Sequence, residues 1–201
     1  MKEEIASIEK NQSWNLVETP QDKRPIALRW IDKVKVNPKG EVVRHKARFV
    51  AKGYLQWAGI DYGEVFAPVA RLETIRVVVS FATHSDWSMH QLNVKSAFLN
   101  GPLEEDVYVM QPQGFEVRGQ EHKVFKLKKA LYGLKQAPRA WNQRIDSFLK
   151  QIGFQRCISE CGVYIKCWND KVKNDKLIIY LYVDDLLVTE SNEEHITQFK
   201  N

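Results

Sequence analysis

Residues 178–188 read IIYLYVDDLLV, two adjacent aspartates inside an otherwise apolar run. A buried, unpaired carboxylate is costly, so it neutralises, pairs or binds a metal. A straight strand would send Asp184 and Asp185 to opposite faces, because successive side chains alternate. A tight hairpin would bring both near its tip. Two readings follow. In one, the pair is a turn that uses aspartate for its conformation, although Gly or Asn suits the second place better. In the other, the pair holds a divalent cation. Mg²⁺ prefers oxygen ligands in a tight octahedron and commonly takes one or two carboxylates plus substrate phosphates. A two-ion site for nucleotidyl transfer, with ions roughly 3.5–4 Å apart, also needs a carboxylate from a neighbouring strand.

The rest of the pattern predicts an α+β fold with helices on one face of an antiparallel sheet. A short helix is expected over 2–10, with Ile5 and Ile8 on one side, and an irregular segment over 14–25. Residues 27–54 read as a hairpin turning at Asn37-Pro38-Lys39-Gly40, with apolar and charged residues alternating on both arms. An aromatic loop follows over 54–68. A helix from Pro68 to about His84 carries Leu72, Ile75, Val79 and Ala82 at helical spacing. Strands are expected over 87–96, 107–109, 124–127, 164–168 and 177–188, with a turn built on Asn100-Gly101-Pro102. The clearest helix starts at Pro138, presents Trp141, Ile145, Phe148 and Ile152, and stops at Gly153.

Charge distribution narrows the partners. Net charge is +5, but Lys23 to Lys52 holds ten Lys/Arg against Asp32 and Glu41, and Glu121 to Lys150 holds eight against Glu121 and Asp146. Two such segments either converge on a polyanion or form two solvated faces. Cys157, Cys161 and Cys167 are an odd number without secretory context, which argues for reduced thiols and against a disulfide framework or zinc finger. No apolar run is long enough for a membrane span, and the charged N-terminus lacks a signal-peptide centre. The expected location is intracellular, not secreted.

YVDD at 182–185 resembles the Tyr-x-Asp-Asp signature of reverse transcriptases. The longer blocks HKARFVAKGY, EVFAPVARLETIR, QLNVKSAFLNGPLEEDVYVMQPQGF and LKKALYGLKQAPRAW are similar to those of the copia-type LTR retrotransposon polymerase, in the same order. The resemblance implies a right-hand polymerase with fingers and palm, copying RNA and DNA templates into DNA from dNTPs with two Mg²⁺ ions, Mn²⁺ being an alternative. It implies a lead helix over 1–13, a fingers-like part over 14–86 and a palm part over 87–201. A thumb and an RNase H domain would follow, so the chain reads as a truncated copy with the thumb absent.

The resemblance also implies roles. Asp184 and Asp185 are the metal ligands and catalytic carboxylates. Arg48 grips the triphosphate, with Lys46 and Lys52 assisting, and a guanidinium suits phosphate oxygens. Phe98 is the aromatic gate against a ribose 2′-OH, Gln136 contacts nucleotide and template, and Tyr182 lies against the primer terminus. The third carboxylate of the family falls at Asn93, in Asn93-Val94-Lys95-Ser96-Ala97-Phe98. An amide nitrogen is a donor where a metal needs an acceptor. The expected loss of activity is on the order of 10³-fold or more. Glu190 stands where the family has a turn-permissive glycine, and Asn142 where an aromatic is common. The expected function is therefore an impaired RNA-directed DNA polymerase. The alternatives are a non-catalytic remnant that binds nucleic acid through basic fingers, or a reused palm serving as a protein-interaction module.

Overall fold

The computed structural model describes residues 1–169 and 174–200. The elements are α1 (Lys2–Lys10), β1 (Trp14–Val17), β2 (Leu28–Val36), β3 (Val42–Ala51), α2 (Leu72–His84), β4 (Ser88–Asn93), β5 (Tyr108–Val109), β6 (Val124–Leu127), α3 (Ala137–Gln151), β7 (Gln155–Arg156), β8 (Val163–Asn169), β9 (Asn174–Tyr182), β10 (Asp185–Glu190) and α4 (Glu193–Lys200). All three sheets are antiparallel within the named strands. No helix among the described residues is long and apolar enough to cross a membrane. All three cysteines are free.

The chain packs as two compact units, Met1–Phe66 with Phe98–Trp141, and Ala67–Ala97 with Asn142–Asn201. This differs from a division by sequence order at residue 86. The reason lies in strand pairing: β6 pairs with β1, and β5 with β6, which draws the 98–141 segment into the first unit. Residues 14–17 are accordingly a strand, not the irregular segment expected. Trp14 stacks on Phe125 at 4.2 Å and meets Phe49 edge-on, and that buried aromatic group fixes the strand. Leu99, Val107, Val109, Leu127 and Leu131 fill the core beside it. The β2–β3 hairpin turns where expected: Asn37 Oδ1 accepts the N–H groups of Lys39 and Glu41, and Gly40 takes φ +82°.

The second unit is a five-stranded sheet in the order β4-β10-β9-β8-β7. Its helices lie on both faces, which corrects the one-face expectation. On one face Tyr164 donates to Asp146 of α3 at 2.9 Å, and Trp168 stacks on His195 of α4 at 3.7 Å. On the other, Val163 and Tyr180, paired across β8 and β9, pack with Ala70 and Ile75. The helix α2 starts at Leu72, not at Pro68. Tyr180 donates to the Arg71 carbonyl at 2.8 Å, and Gly162 leaves room for Ala70, so the segment before Leu72 stays extended. The buried residues of α2 are Val78 and Ala82, while Leu72 and Val79 face solvent. In α3, Trp141, Ile145 and Leu149 are buried, and the expected Phe148 is exposed. Gly153, at φ +92°, ends α3 with Phe154 N–H on the Leu149 carbonyl and Gly153 N–H on that of Lys150.

Candidate functional site

The two aspartates meet at a hairpin tip in the second unit. Strands β9 and β10 close on the pair Tyr182–Asp185, leaving Val183 and Asp184 as the two-residue turn. The residue at positive φ is Val183, at +56°, not an aspartate. A β-branched residue in the left-handed region costs about 1–2 kcal/mol, and the first place of such a turn normally holds Gly. The residue that takes the turn's left-handed position is thus valine, and Asp184 fills the second place. The strain at Val183 is of the kind that clusters at functional sites.

Register places the third position beside the tip. Asn93, the last residue of β4, pairs with Asp185, so both project on the same face. Its Nδ2 donates to Asp185 Oδ1 at 3.0 Å and to Asp184 Oδ2 at 3.3 Å, while Val94 N–H donates to the Asp184 carbonyl at 2.8 Å. Ionised carboxylates only accept, so the amide must turn its NH₂ inward. The tip thus offers two carboxylates and, at the bridging place, a pair of N–H donors. Among the described residues no three His, Cys, Asp or Glu side chains group to hold a metal. This donor set does not fit a two-ion centre. Tyr182, half exposed, ends β9 next to the tip.

The far end of the same strand pair is different. Glu190 ends β10 opposite Ser88 and is 2% exposed. It lies in a strand, so the turn flexibility expected to matter there does not; burial does. Exclusion from water pushes its carboxyl above the usual range. His90 Nε2 is 3.7 Å from Glu190 Oε1, and Lys200 Nζ of α4 is 3.4 Å from His90 Nδ1.

In the first unit, the β2–β3 ribbon sorts its charges by strand period. Arg29, Lys33 and Lys35 share a face with Arg44, Lys46 and Arg48, because Lys33 pairs with Lys46, Lys35 with Arg44 and Ile31 with Arg48. The opposite face holds Trp30 and Phe49, and Asp32 lies there too. Glu3, 3.5 Å from Arg44 of the cationic face, forms an exposed pair of small energetic weight. Lys52 lies beyond β3, its N–H on the Ala27 carbonyl at 2.9 Å, and is not part of the ribbon face.

Arg48 also sits over the Tyr132 ring at 4.8 Å, and Phe98 packs on Tyr132 at 4.9 Å. Gln136, expected at a nucleotide contact, is 2% exposed. Its Nε2 donates to the Asp61 carbonyl at 2.9 Å, and its Oε1 accepts from Gln56 Nε2 at 3.0 Å. Gln56 Oε1 in turn accepts the Lys135 N–H at 2.8 Å. Gln136 thus ties the 133–136 segment to the aromatic loop. Tyr132, Gln56, His90 and the burial of Glu190 were not legible as site features: each depends on a partner distant in sequence.

Known proteins are similar to this chain over most of its length. The profile for "Reverse transcriptase (RNA-dependent DNA polymerase)" matches residues 11–201. The Pol polyprotein of transposon TNT 1-94 from Nicotiana tabacum is 44% identical over 200 residues, covering 100% of this chain and 15% of the relative. That of transposon RE1 from Arabidopsis thaliana is 43% identical over 182 residues, covering 89% of this chain and 12% of the relative. The Ty1-DR4 Gag-Pol polyprotein of Saccharomyces cerevisiae is 28% identical over 190 residues, covering 94% and 11%. The chain belongs to the reverse transcriptase family, as the domain carried by copia-type retrotransposon Pol polyproteins. It spans about 15% of the length of the first of these relatives.

Proposed function

We propose that this is a reverse transcriptase domain that holds primer-template and dNTP but is disarmed for polymerisation by Asn93. The first unit plays the fingers role and the second the palm role, a packing-based version of the parts expected over 14–86 and 87–201. Six cations on one ribbon face suit a run of phosphates, RNA or DNA, and a triphosphate. Arg48 is the phosphate grip, with Lys46 beside it on the ribbon and Lys52 at its base. Phe98 is the aromatic gate under the sugar, and Tyr182 the contact to the primer end. Gln136 acts by positioning its segment, since its own amide is engaged within the protein.

The single observation that carries the impairment is the Asn93 amide, donating to both Asp184 and Asp185. Metal ions would supply charge stabilisation to nucleotidyl transfer in the family. In this chain the inward N–H groups oppose a cation at that place, so no metal-assisted step is assigned to it. The Asn93 contacts to both aspartates support Asp184, Asp185 and position 93 as the proposed catalytic constellation.

Primer extension by this chain and by Asn93→Asp, each with Mg²⁺ or Mn²⁺, tests the reading. The unaltered chain should bind primer-template with affinity that falls steeply with salt, and extend it only marginally. Asn93→Asp should raise extension by about 10³-fold or more. Extension by the unaltered chain at the level of the variant overturns the disarming role of Asn93; so does a variant that binds but stays silent. Salt-independent binding to protein alone, without nucleic acid, would favour the interaction-module alternative.

A further inference from the structure

Tyr132 lies between two side chains with different expected tasks. The Arg48 guanidinium covers its ring at 4.8 Å, and the Phe98 ring meets it at 4.9 Å with 54° between planes. Arg48 comes from β3, Phe98 from the 3₁₀ turn Ala97–Asn100 and Tyr132 from the 131–134 segment, and all three residues lie in the first unit. We infer that Tyr132 is a positioning residue for nucleotide selection: its ring sets the pose of Arg48 and Phe98 together, so that phosphate grip and sugar discrimination are coupled. This rests on the proposed function.

The ring has a rigid base. Ala51 N–H donates to the Tyr132 carbonyl at 2.7 Å, tying it to the strand that carries Arg48. Gly133 follows at φ +90°, and a Cβ there would collide with the Ala51 carbonyl and Val50. Three residues on, the buried Gln56–Gln136 pair locks the same segment. Phe98 is held from its own side: Gly101 N–H donates to the Phe98 carbonyl at 3.0 Å, and Ala130 N–H to that of Gly101 at 2.8 Å. An exposed arginine gives up several rotatable bonds to hold one pose. A ring beneath the guanidinium favours that pose before the ligand arrives. A shift of the ring would also move Phe98, because the two rings are in contact.

The test measures equilibrium binding of a dNTP and the matching rNTP to the full chain with primer-template, for Tyr132→Leu, Tyr132→Met, Tyr132→Phe and Arg48→Ala. The leucine and methionine variants should weaken dNTP binding by about 5- to 30-fold and narrow the dNTP-to-rNTP ratio. Tyr132→Phe, which keeps the ring, should restore both. In the Asn93→Asp background the same variants should raise KM more than they lower kcat. Wild-type affinity and ratio in both ring-deleted variants overturn the inference. So does a phenylalanine variant as impaired as they are, which would indicate a hydroxyl role. If Arg48→Ala weakens binding while the Tyr132 variants do not, the inference falls and the proposed function stands. If the unaltered chain binds no nucleotide, the proposed function falls, and this inference with it.

Discussion

At one end of the β4–β10 pair, Asp185 is half-buried opposite Asn93; at the other, Glu190 is sealed opposite Ser88, where α4 packs on β10. The same two strands therefore hold carboxyl groups by different physics. Asp184 and Asp185 are balanced by an amide that reaches both. Glu190 has His90 at 3.7 Å, and the Ile196 N–H and the Lys200 charge only partly offset its exclusion from water, so its environment favours the neutral form. The open end is reachable from solvent, and the closed end is governed by burial.

The largest expected effect sharpens the open end. Asn93→Asp puts three carboxylates around one tip, which repel until a cation joins them. Thermal unfolding of the variant should therefore rise with Mg²⁺. Saturation at about 100-fold above Kd corresponds to about 2.7 kcal/mol, or on the order of 5–10 °C for a domain of this size. The unaltered chain should move by less than about 1 °C. An equal Mg²⁺ response in both would erase the contrast between amide and carboxylate.

The next effect belongs to the closed end. Glu190 has its carboxyl raised in the fold, so the folded state binds that proton more tightly than the unfolded chain does. Stability then falls as pH climbs through the folded value, and recovers as pH drops toward the ordinary glutamate range. Glu190→Gln should remove this dependence and stabilise the chain at pH 7–8 by on the order of 1 kcal/mol. The check is denaturant unfolding of both proteins from pH 5 to 8. Parallel pH curves would show that Glu190 is not the titrating group, and that the two ends differ less than their burial suggests.

The smallest effect concerns the turn itself. Val183→Gly relieves the left-handed strain but frees the unfolded chain, so the net gain should be about 0.5–1 kcal/mol. Chemical denaturation measures it directly. A loss of stability would mean that the valine side chain contributes packing that outweighs its backbone strain.

Much of the fold was readable because its determinants are local. The Asn37-Pro38-Lys39-Gly40 turn and alternation on either side predicted the ribbon, and Gly153 marked the end of α3. The tip was readable because two aspartates in an apolar run have few physical solutions. What escaped was set from a distance. Nothing in Trp14–Val17 announces a partner strand at Val124–Leu127. The choice of Val78 over Val79 as the buried residue of α2 depends on how the helix lies on its sheet. Gln136 looked like a ligand contact until Gln56, 80 residues away in sequence, was found holding it. Glu190 looked like a turn residue because burial under α4 leaves no mark on its own sequence.

The β2–β3 ribbon carries one last consequence. Its strands pair only with each other among the described residues, so toward the Asn37–Gly40 turn each presents an outer edge of main-chain donors and acceptors. Such edges invite another chain to add a strand, and lysines are a common deterrent. Lys33, Lys35, Arg44 and Lys46 are cations of the kind that deters such pairing. At 1 M salt, where charge acts over only about 3 Å, that deterrent weakens, and self-association through the ribbon should increase.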